Sequence, residues 1–292
     1  MGGSMHFPTF ETGKNLGLMM LITTCVQASG GAIKTHEIST FILLMIFCGC
    51  ILFYIRKARQ GGSMYVRRIP ALASVNEAVG RATEMGRACV FIPGIMDIDD
   101  IQTLAGLNIL GSVARKTAVY DTDLMVPCSK SMVLSTAQDV VKESYLRTGH
   151  PDTYNENAIY YVTDDQFAFA AGVNGMLVRE EPAAIMMLGT FYAESLLIAE
   201  TGNHIGAIQI AGTAESSQLP FFIAACDYVL IGEELFAASA YLSNDPLLLG
   251  SLKGQDVGKV FIILTIIYGC VVELGIRLFG LSSVFSLSSL FS

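Results

Sequence analysis

The stretch AIMMLGTFYAESLLIAETGNHIGAIQIAGTAES, Ala184 to Ser216, carries the pattern that decides the fold. Ala184–Leu188 and Ala207–Ile210 are short apolar β-type runs, and Phe191–Thr201 between them has the composition of a helix. A helix between two short buried runs is a βαβ crossover, which makes the two strands parallel neighbours. The stretch also echoes itself at an offset of 23 residues. Ala184-Ile185 leads to Gly189-Thr190, and Ala207-Ile208 leads to Gly212-Thr213. Ala-Glu-Ser follows each pair, at Ala193-Glu194-Ser195 and Ala214-Glu215-Ser216. Two Gly-Thr turns are thus expected at the carboxyl ends of two parallel strands.

The same alternation extends outward over residues 65–256. Further strand candidates are Ala88–Ile92, Ala118–Tyr120, Leu124–Val126 and Ala158–Val162. Helical candidates are Val75–Met85, Asp99–Arg115, Ser131–Arg147, Phe167–Val178 and Gln218–Leu242. The expected fold class is α/β, a Rossmann-like, mostly parallel sheet in a central domain.

Apolar segments flank that domain. The chain has 292 residues, 52% hydrophobic and only 15% charged, against about 25% charged in an average soluble domain. Residues 38–55, ISTFILLMIFCGCILFYI, carry no charge and are long enough to span a bilayer core of about 30 Å. Arg56, Lys57, Arg59, Arg67 and Arg68 follow, in a basic linker whose first part is residues 56–64. Basic flanks stay in the cytosol, which sets the central domain there. Residues 257–279 read as a second span, densest from Val260 to Val272, with Glu273 and Arg277 as an i, i+4 pair near its end. Within residues 1–37, Leu16–Ala32 is weaker, reading either as a membrane helix packed among subunits or as an interfacial segment; it is a poor signal peptide. The tail, residues 280–292, alternates apolar residues with Ser and reads as an interfacial or partner-packing segment.

The stretches RRIPALASVNEAVGRATEMGR (Arg67–Arg87), GTAESSQLPFFIAACDYVLIGEELFAASAYLS (Gly212–Ser243) and GSLKGQDVGK (Gly250–Lys259) resemble a family of prokaryotic membrane proteins built around a domain of unknown function. The resemblance covers about Tyr65–Lys259. It implies a bacterial or archaeal source and a multi-pass protein of the cell membrane, and it carries no activity, cofactor or catalytic residue.

Candidate chemistry gathers at the expected strand ends. Gly189, Thr190, Glu194, Gly212, Thr213 and Glu215 form the candidate ligand pocket, because open α/β sheets bind ligands beyond the carboxyl ends of their strands. The plainer alternative is capping and packing. Asp97, Asp99 and Asp100 follow Ile92-Pro93-Gly94 and are candidate oxygen ligands for Mg²⁺ or Ca²⁺; the alternative is that one caps the next helix. Asp164 and Asp165 read the same way ahead of a helical run. The seven cysteines show no zinc spacing, and most read as small buried hydrophobes.

A net charge of −8 argues against nucleic acid as a partner. No nucleophile elbow, zinc-protease motif, phosphate loop or dinucleotide glycine motif is present, so the sequence names no cofactor and leans away from an enzyme. The leading expectation is a membrane-anchored scaffold or interaction protein that forms a homo-oligomer in the lipid bilayer. A ligand sensor or enzyme using the strand-end pocket, and a subunit of an oligomeric channel or transport complex, are the alternatives.

Overall fold

The computed structural model describes residues 35–60, 70–243 and 246–279. The Leu16–Ala32 segment, residues 61–64 of the basic linker with Arg67 and Arg68 beyond it, and the 280–292 tail lie outside them. The chain divides into two compact units, Tyr54–Lys253 and Met1–Phe53 with Gly254–Ser292.

Tyr54–Lys253 is built on a six-stranded, wholly parallel sheet: β1 (Cys89–Gly94), β2 (Leu124–Cys128), β3 (Ile159–Tyr161), β4 (Ala184–Thr190), β5 (Ile208–Thr213) and β6 (Tyr228–Ile231). The strand order is β3-β2-β1-β4-β5-β6. The intervening helices are α3 (Ile101–Tyr120), α4 (Ser131–Thr148), α5 (Gln166–Glu180), α6 (Glu194–His204) and α7 (Leu219–Ala225). Helix α2 (Pro70–Met85) precedes the sheet and α8 (Glu233–Ser243) follows it. Helix α1 (Thr35–Arg59) and the long α9 (Pro246–Phe279) lie at the ends of the described chain.

A parallel sheet is covered on both faces, so its central strands are apolar throughout. Strand β4, AIMMLGT, is buried at every position. Alternate residues serve the two layers. Met186 and Leu188 join Phe91 and Ile210 in the core beneath α2, α3, α4 and α8. Ile185 and Met187 join Val90 and Ala211 in the core beneath α5, α6 and α7.

Two expected elements differ. Ala118–Tyr120 is not a strand but the last turn of α3. Asp121 ends the helix in the left-handed region (φ 53°), and its N–H closes back on the Thr117 carbonyl. The expected helix Gln218–Leu242 is three elements, α7, β6 and α8. The break is at Cys226, which is extended. There the backbone of Asp227 donates to the Gln209 carbonyl (3.1 Å) and its carboxylate accepts from the Gln209 N–H (2.8 Å). Two bonds to β5 outcompete one more helical turn, and the aromatic and β-branched residues of Tyr228–Ile231 then pair as an edge strand.

Among the described residues one segment, Pro246–Val272 in α9, is long and apolar enough to cross a membrane. It begins 11 residues before the expected Val257, and at 1.5 Å per residue its 27 residues extend about 40 Å, more than a hydrocarbon core needs. Helix α1 contains the uncharged 38–55 stretch and closes on Arg56, Lys57 and Arg59. Along the two helices Leu52, Phe53, Leu264 and Val271 are each more than half exposed.

Glycines at 250, 254 and 258 mark one stripe of α9. Within the unit containing both, a Cβ at Gly254 would lie 2.8 Å from the Ile51 Cα, and one at Gly258 would enter the Phe47 ring. Within the other unit, a Cβ at Gly250 would lie 2.6 Å from the Ile55 Cα. Residues 47, 51 and 55 ascend as 258, 254 and 250 descend, so α1 and α9 run antiparallel with backbones touching. Small residues at such a spacing let helices approach closely where packing drives their association.

Of the described cysteines only Cys89 and Cys128 are buried. Cys50 and Cys226 are half-buried, and Cys48 and Cys270 are exposed on the apolar helices, so the reading of most as buried is corrected. Burial pushes the Cys89 and Cys128 thiols up to about 12.

The glycine stripe predicts that Gly254→Leu forces α1 and α9 apart and costs about 1–3 kcal/mol. A lowered thermal midpoint of the detergent-solubilised chain is the readout, and a midpoint equal to the parent would show that the seam is not close-packed. The thiols predict loss of stability in alkali. Unfolded thiols ionise near pH 9 while folded Cys89 and Cys128 stay protonated to about 12. Their contribution is complete below pH 9 and falls above it by about 1.4 kcal/mol per pH unit for each thiol, until the folded pKa is reached. Denaturant unfolding at pH 8 and pH 10.5 measures this, and Cys89→Ala should flatten the slope.

Candidate functional site

The strand order reverses between β1 and β4, and in open α/β sheets this switch point is where ligands settle. The helix that follows β1 normally offers its N-terminal N–H groups to a phosphate there. In this chain that helix is α3, and the protein's own groups reach across the crevice.

The bridging begins in the backbone. Gly94 (φ 92°) pairs with Thr190 across a ladder irregularity, and a Cβ on Gly94 would lie 2.5 Å from the Thr190 carbonyl oxygen. Gly189 (φ 155°) would drive a Cβ into the Pro93 carbonyl. Glycine is required at both positions by close approach and by a positive φ. The Ile95 N–H then donates to the Thr190 carbonyl (3.1 Å), fastening the two strand ends beyond the ladder.

Side chains complete it. Asp100 is the N-cap of α3, and its Oδ2 accepts from the Thr103 N–H (3.1 Å) and Thr103 Oγ1 (3.2 Å). The same oxygen takes a very short hydrogen bond from Thr190 Oγ1. A carboxylate therefore occupies the position at the helix N-terminus that a phosphate would use, where it also meets the favourable end of the dipole. From the same first turn, Gln102 Oε1 accepts from Thr213 Oγ1 (3.1 Å) and the Ala214 N–H (2.6 Å), tying α3 to the end of β5.

Glu194 is fully buried, and both of its oxygens are used. Oε1 accepts from the Tyr192 N–H (2.8 Å) and Oε2 from Gln166 Nε2 (2.5 Å), joining α6 to α5. Ser195 Oγ donates to Gln218 Oε1 (2.9 Å). Glu215 is half-exposed; its N–H donates to Thr213 Oγ1 and its Oε1 accepts from Ser217. Gly212 sits against the side chains of Leu188 and Leu230 on the flanking strands.

The six candidate pocket residues are thus brought to one edge of the sheet, but no hydrogen bond among the described residues joins them into a single cluster. They form three separate ties, Thr190 to Asp100, Thr213 to Gln102 and Glu194 to Gln166. The three candidate metal ligands do not converge either. Asp97 accepts from its neighbour's N–H (Ile98, 2.7 Å), Asp99 is exposed and Asp100 is spent on the cap and Thr190. Among the described residues no group of three or more His, Cys, Asp or Glu could hold a metal ion. Asp165 caps α5 through the Ala168 N–H (2.8 Å), and Asp164 pairs with Lys130 at 3.8 Å.

Sequence reasoning missed the glutamines. Gln102 and Gln166 each lie in the first helical turn after a capping Asp, and that spacing is the one signal that pointed to them. Open clefts lie away from the switch point. One of about 480 Å³ runs beside edge strand β3, lined by Tyr160, Tyr161, Met176 and Arg179 among others. Another of about 330 Å³ lies against the second half of α3.

These ties predict a structural role for the acids. Asp100→Ala removes the acceptor of three hydrogen bonds and should cost about 1–3 kcal/mol in denaturant unfolding. Thr190→Val should cost less, and the two should be non-additive by about 1 kcal/mol because they share one bond. An Asp100→Ala protein as stable as the parent would mean that the carboxylate is kept for a ligand instead.

No curated protein and no solved structure matches the chain. Residues 28–284 match the model of a family described as a domain of unknown function, DUF6754, a span wider than the 65–259 stretch on which the sequence resemblance rested. That description carries no activity, source or cellular location. The chain belongs to the DUF6754 family.

Proposed function

We propose that this chain is a membrane-anchored, self-associating interaction protein whose α/β domain is a docking platform rather than an enzyme. The observation that carries the reading is the filled switch point. A dinucleotide or phosphate ligand would have to displace the Asp100 carboxylate from the α3 N-terminus and part Gly94 from Thr190. This weighs against a sensor or enzyme that binds a phosphate-bearing ligand at this edge.

The anchor is α9, with residues 38–55 of α1 as its antiparallel partner. Support comes from the exposed apolar side chains of both helices and from the glycine stripe between them. The cationic end of α1 supports a cytosolic side of a prokaryotic cell membrane for the α/β domain, because basic flanks stay in the cytosol. Self-association is supported by apolar residues left in the open on the helices that follow the carboxyl ends of the strands. Ile101, Phe167 and Ile223 are each more than half exposed. Such surface on a folded domain marks protein contact.

Two measurements test this. Light scattering in mild detergent should give a protein mass that is a multiple of the single chain, and a strict monomer without a co-purifying partner would overturn it. A thermal-shift panel of nucleotides and divalent cations should leave the midpoint unmoved. A true ligand at 100 times its Kd would add about 2.7 kcal/mol, which such a panel detects.

A further inference from the structure

The second half of α3 presents one stripe to an open cleft of about 330 Å³. Ser112, Arg115 and Lys116 form its polar floor, and Val119 and Tyr120 continue the stripe. Thr148 at the end of α4 and Leu242 near the end of α8 make the walls. Among the described residues no carboxylate lines it.

Two cations adjacent in sequence therefore share a cleft in which no described residue supplies a counter-charge. Among the described residues neither Arg115 nor Lys116 has an ion-pair partner. Burial first, and the Arg115 charge second, lower the Lys116 pKa. The guanidinium is fixed in place: its Nη2 donates to Ser112 Oγ (2.6 Å) and to the Leu242 carbonyl (3.2 Å), and Ser112 Oγ donates to the same carbonyl (3.0 Å). This leaves the other guanidinium N–H groups and the whole Lys116 ammonium without protein acceptors among the described residues. Beside them Val119 and Tyr120 are each more than half exposed. A charged floor with an apolar, aromatic rim fits an amphiphilic anion and does not fit a metal or a neutral polar solute.

The chain supplies the source. Four residues after Leu242, at Pro246, begins the segment long and apolar enough to cross a membrane. We propose that this cleft is a site for the phosphate of an anionic phospholipid headgroup, held by Arg115 and Lys116, with Val119, Tyr120 and Leu242 against the start of the acyl chains. It rests on the reading of α9 as a membrane anchor.

The test uses the full chain in a neutral detergent, titrated with phosphatidylglycerol, with phosphatidylcholine and with inorganic phosphate, and read by native mass spectrometry and thermal shift. Phosphatidylglycerol should bind saturably and phosphatidylcholine weakly. Arg115→Gln with Lys116→Gln should weaken phosphatidylglycerol roughly 30-fold, from about 1 kcal/mol for each cation at an anionic surface. Should that double variant fail to fold, Lys116→Gln alone keeps the test, because it removes no hydrogen bond; it should weaken binding roughly fivefold. Equal affinity for phosphatidylglycerol in parent and variants overturns the proposal. Inorganic phosphate binding as tightly as the lipid also overturns it, in favour of a soluble anion. Alkaline carbonate extraction of native membranes separates the two readings. Release of the protein sinks the anchor whatever the micelle titration shows, while retention with lost lipid selectivity sinks only the headgroup site.

Discussion

The carboxyl ends of β1 and β4 touch backbone to backbone, and much of the domain follows from that contact. Gly94 and Gly189 leave no room for a Cβ between the strands. Once the strand ends are that close, the Thr190 hydroxyl meets Asp100 and the start of α3 is set by the same oxygen that caps it. Gly106, one and a half turns on, lies against the Leu188 carbonyl, so α3 is seated directly on the backbone of β4. The order β3-β2-β1-β4-β5-β6 ordinarily opens a crevice where connections leave in opposite directions. Here the divergence is bridged by the protein's own groups.

Much of the α/β architecture was legible from local signals. β1, β2, β3, β4 and β5 were each visible as apolar or β-branched runs between helical stretches. β6 was not, because Tyr228–Ile231 sits inside an Ala-rich apolar run whose composition suits a helix equally well. Only the Asp227–Gln209 exchange, a contact between distant residues, makes it a strand. The Gly-Thr echo located the right edge of the sheet. It could not say whether that edge was a pocket or a plug, since glycine, threonine and acid are what either requires. The echo also fails where chemistry would matter. Glu194 is buried and doubly bonded, while Glu215, its counterpart, is half-exposed and turned to a local serine. What separates the outcomes is the partner on the next helix, Gln166 in one case and none in the other.

The apolar helices were legible by composition, whereas their mutual packing emerges only from the structure. Glycines at 250, 254 and 258 precede the densest apolar run, so a hydropathy reading places the span later than the helix begins. The packing reading moves its start to Pro246. Helices that pack among lipid gain little from burying apolar area against one another, and close backbone approach is then the main source of specificity. Phe47, Ile51 and Ile55 are the complementary large residues, one helical turn apart.

Helix α3 joins the two themes. Its first turn carries Asp100 and Gln102, which fill the position where a phosphate would dock. Its second half carries Arg115 and Lys116, cations with no protein partner among the described residues. The acid end agrees with the helix dipole, which favours acid at the N-terminus, whereas Arg115 and Lys116 lie before the last turn, where the dipole acts little. The dipole alone explains the acid end, because Asp100 is consumed in internal bonds. It does not explain the basic end, because a guanidinium pinned by Ser112 and the Leu242 carbonyl beside an unpaired ammonium raises the cost of leaving both unsatisfied. The N-terminus of α3 is thus answered by the protein's own carboxylate, while the two cations of its second half are left, among the described residues, with no carboxylate to answer them.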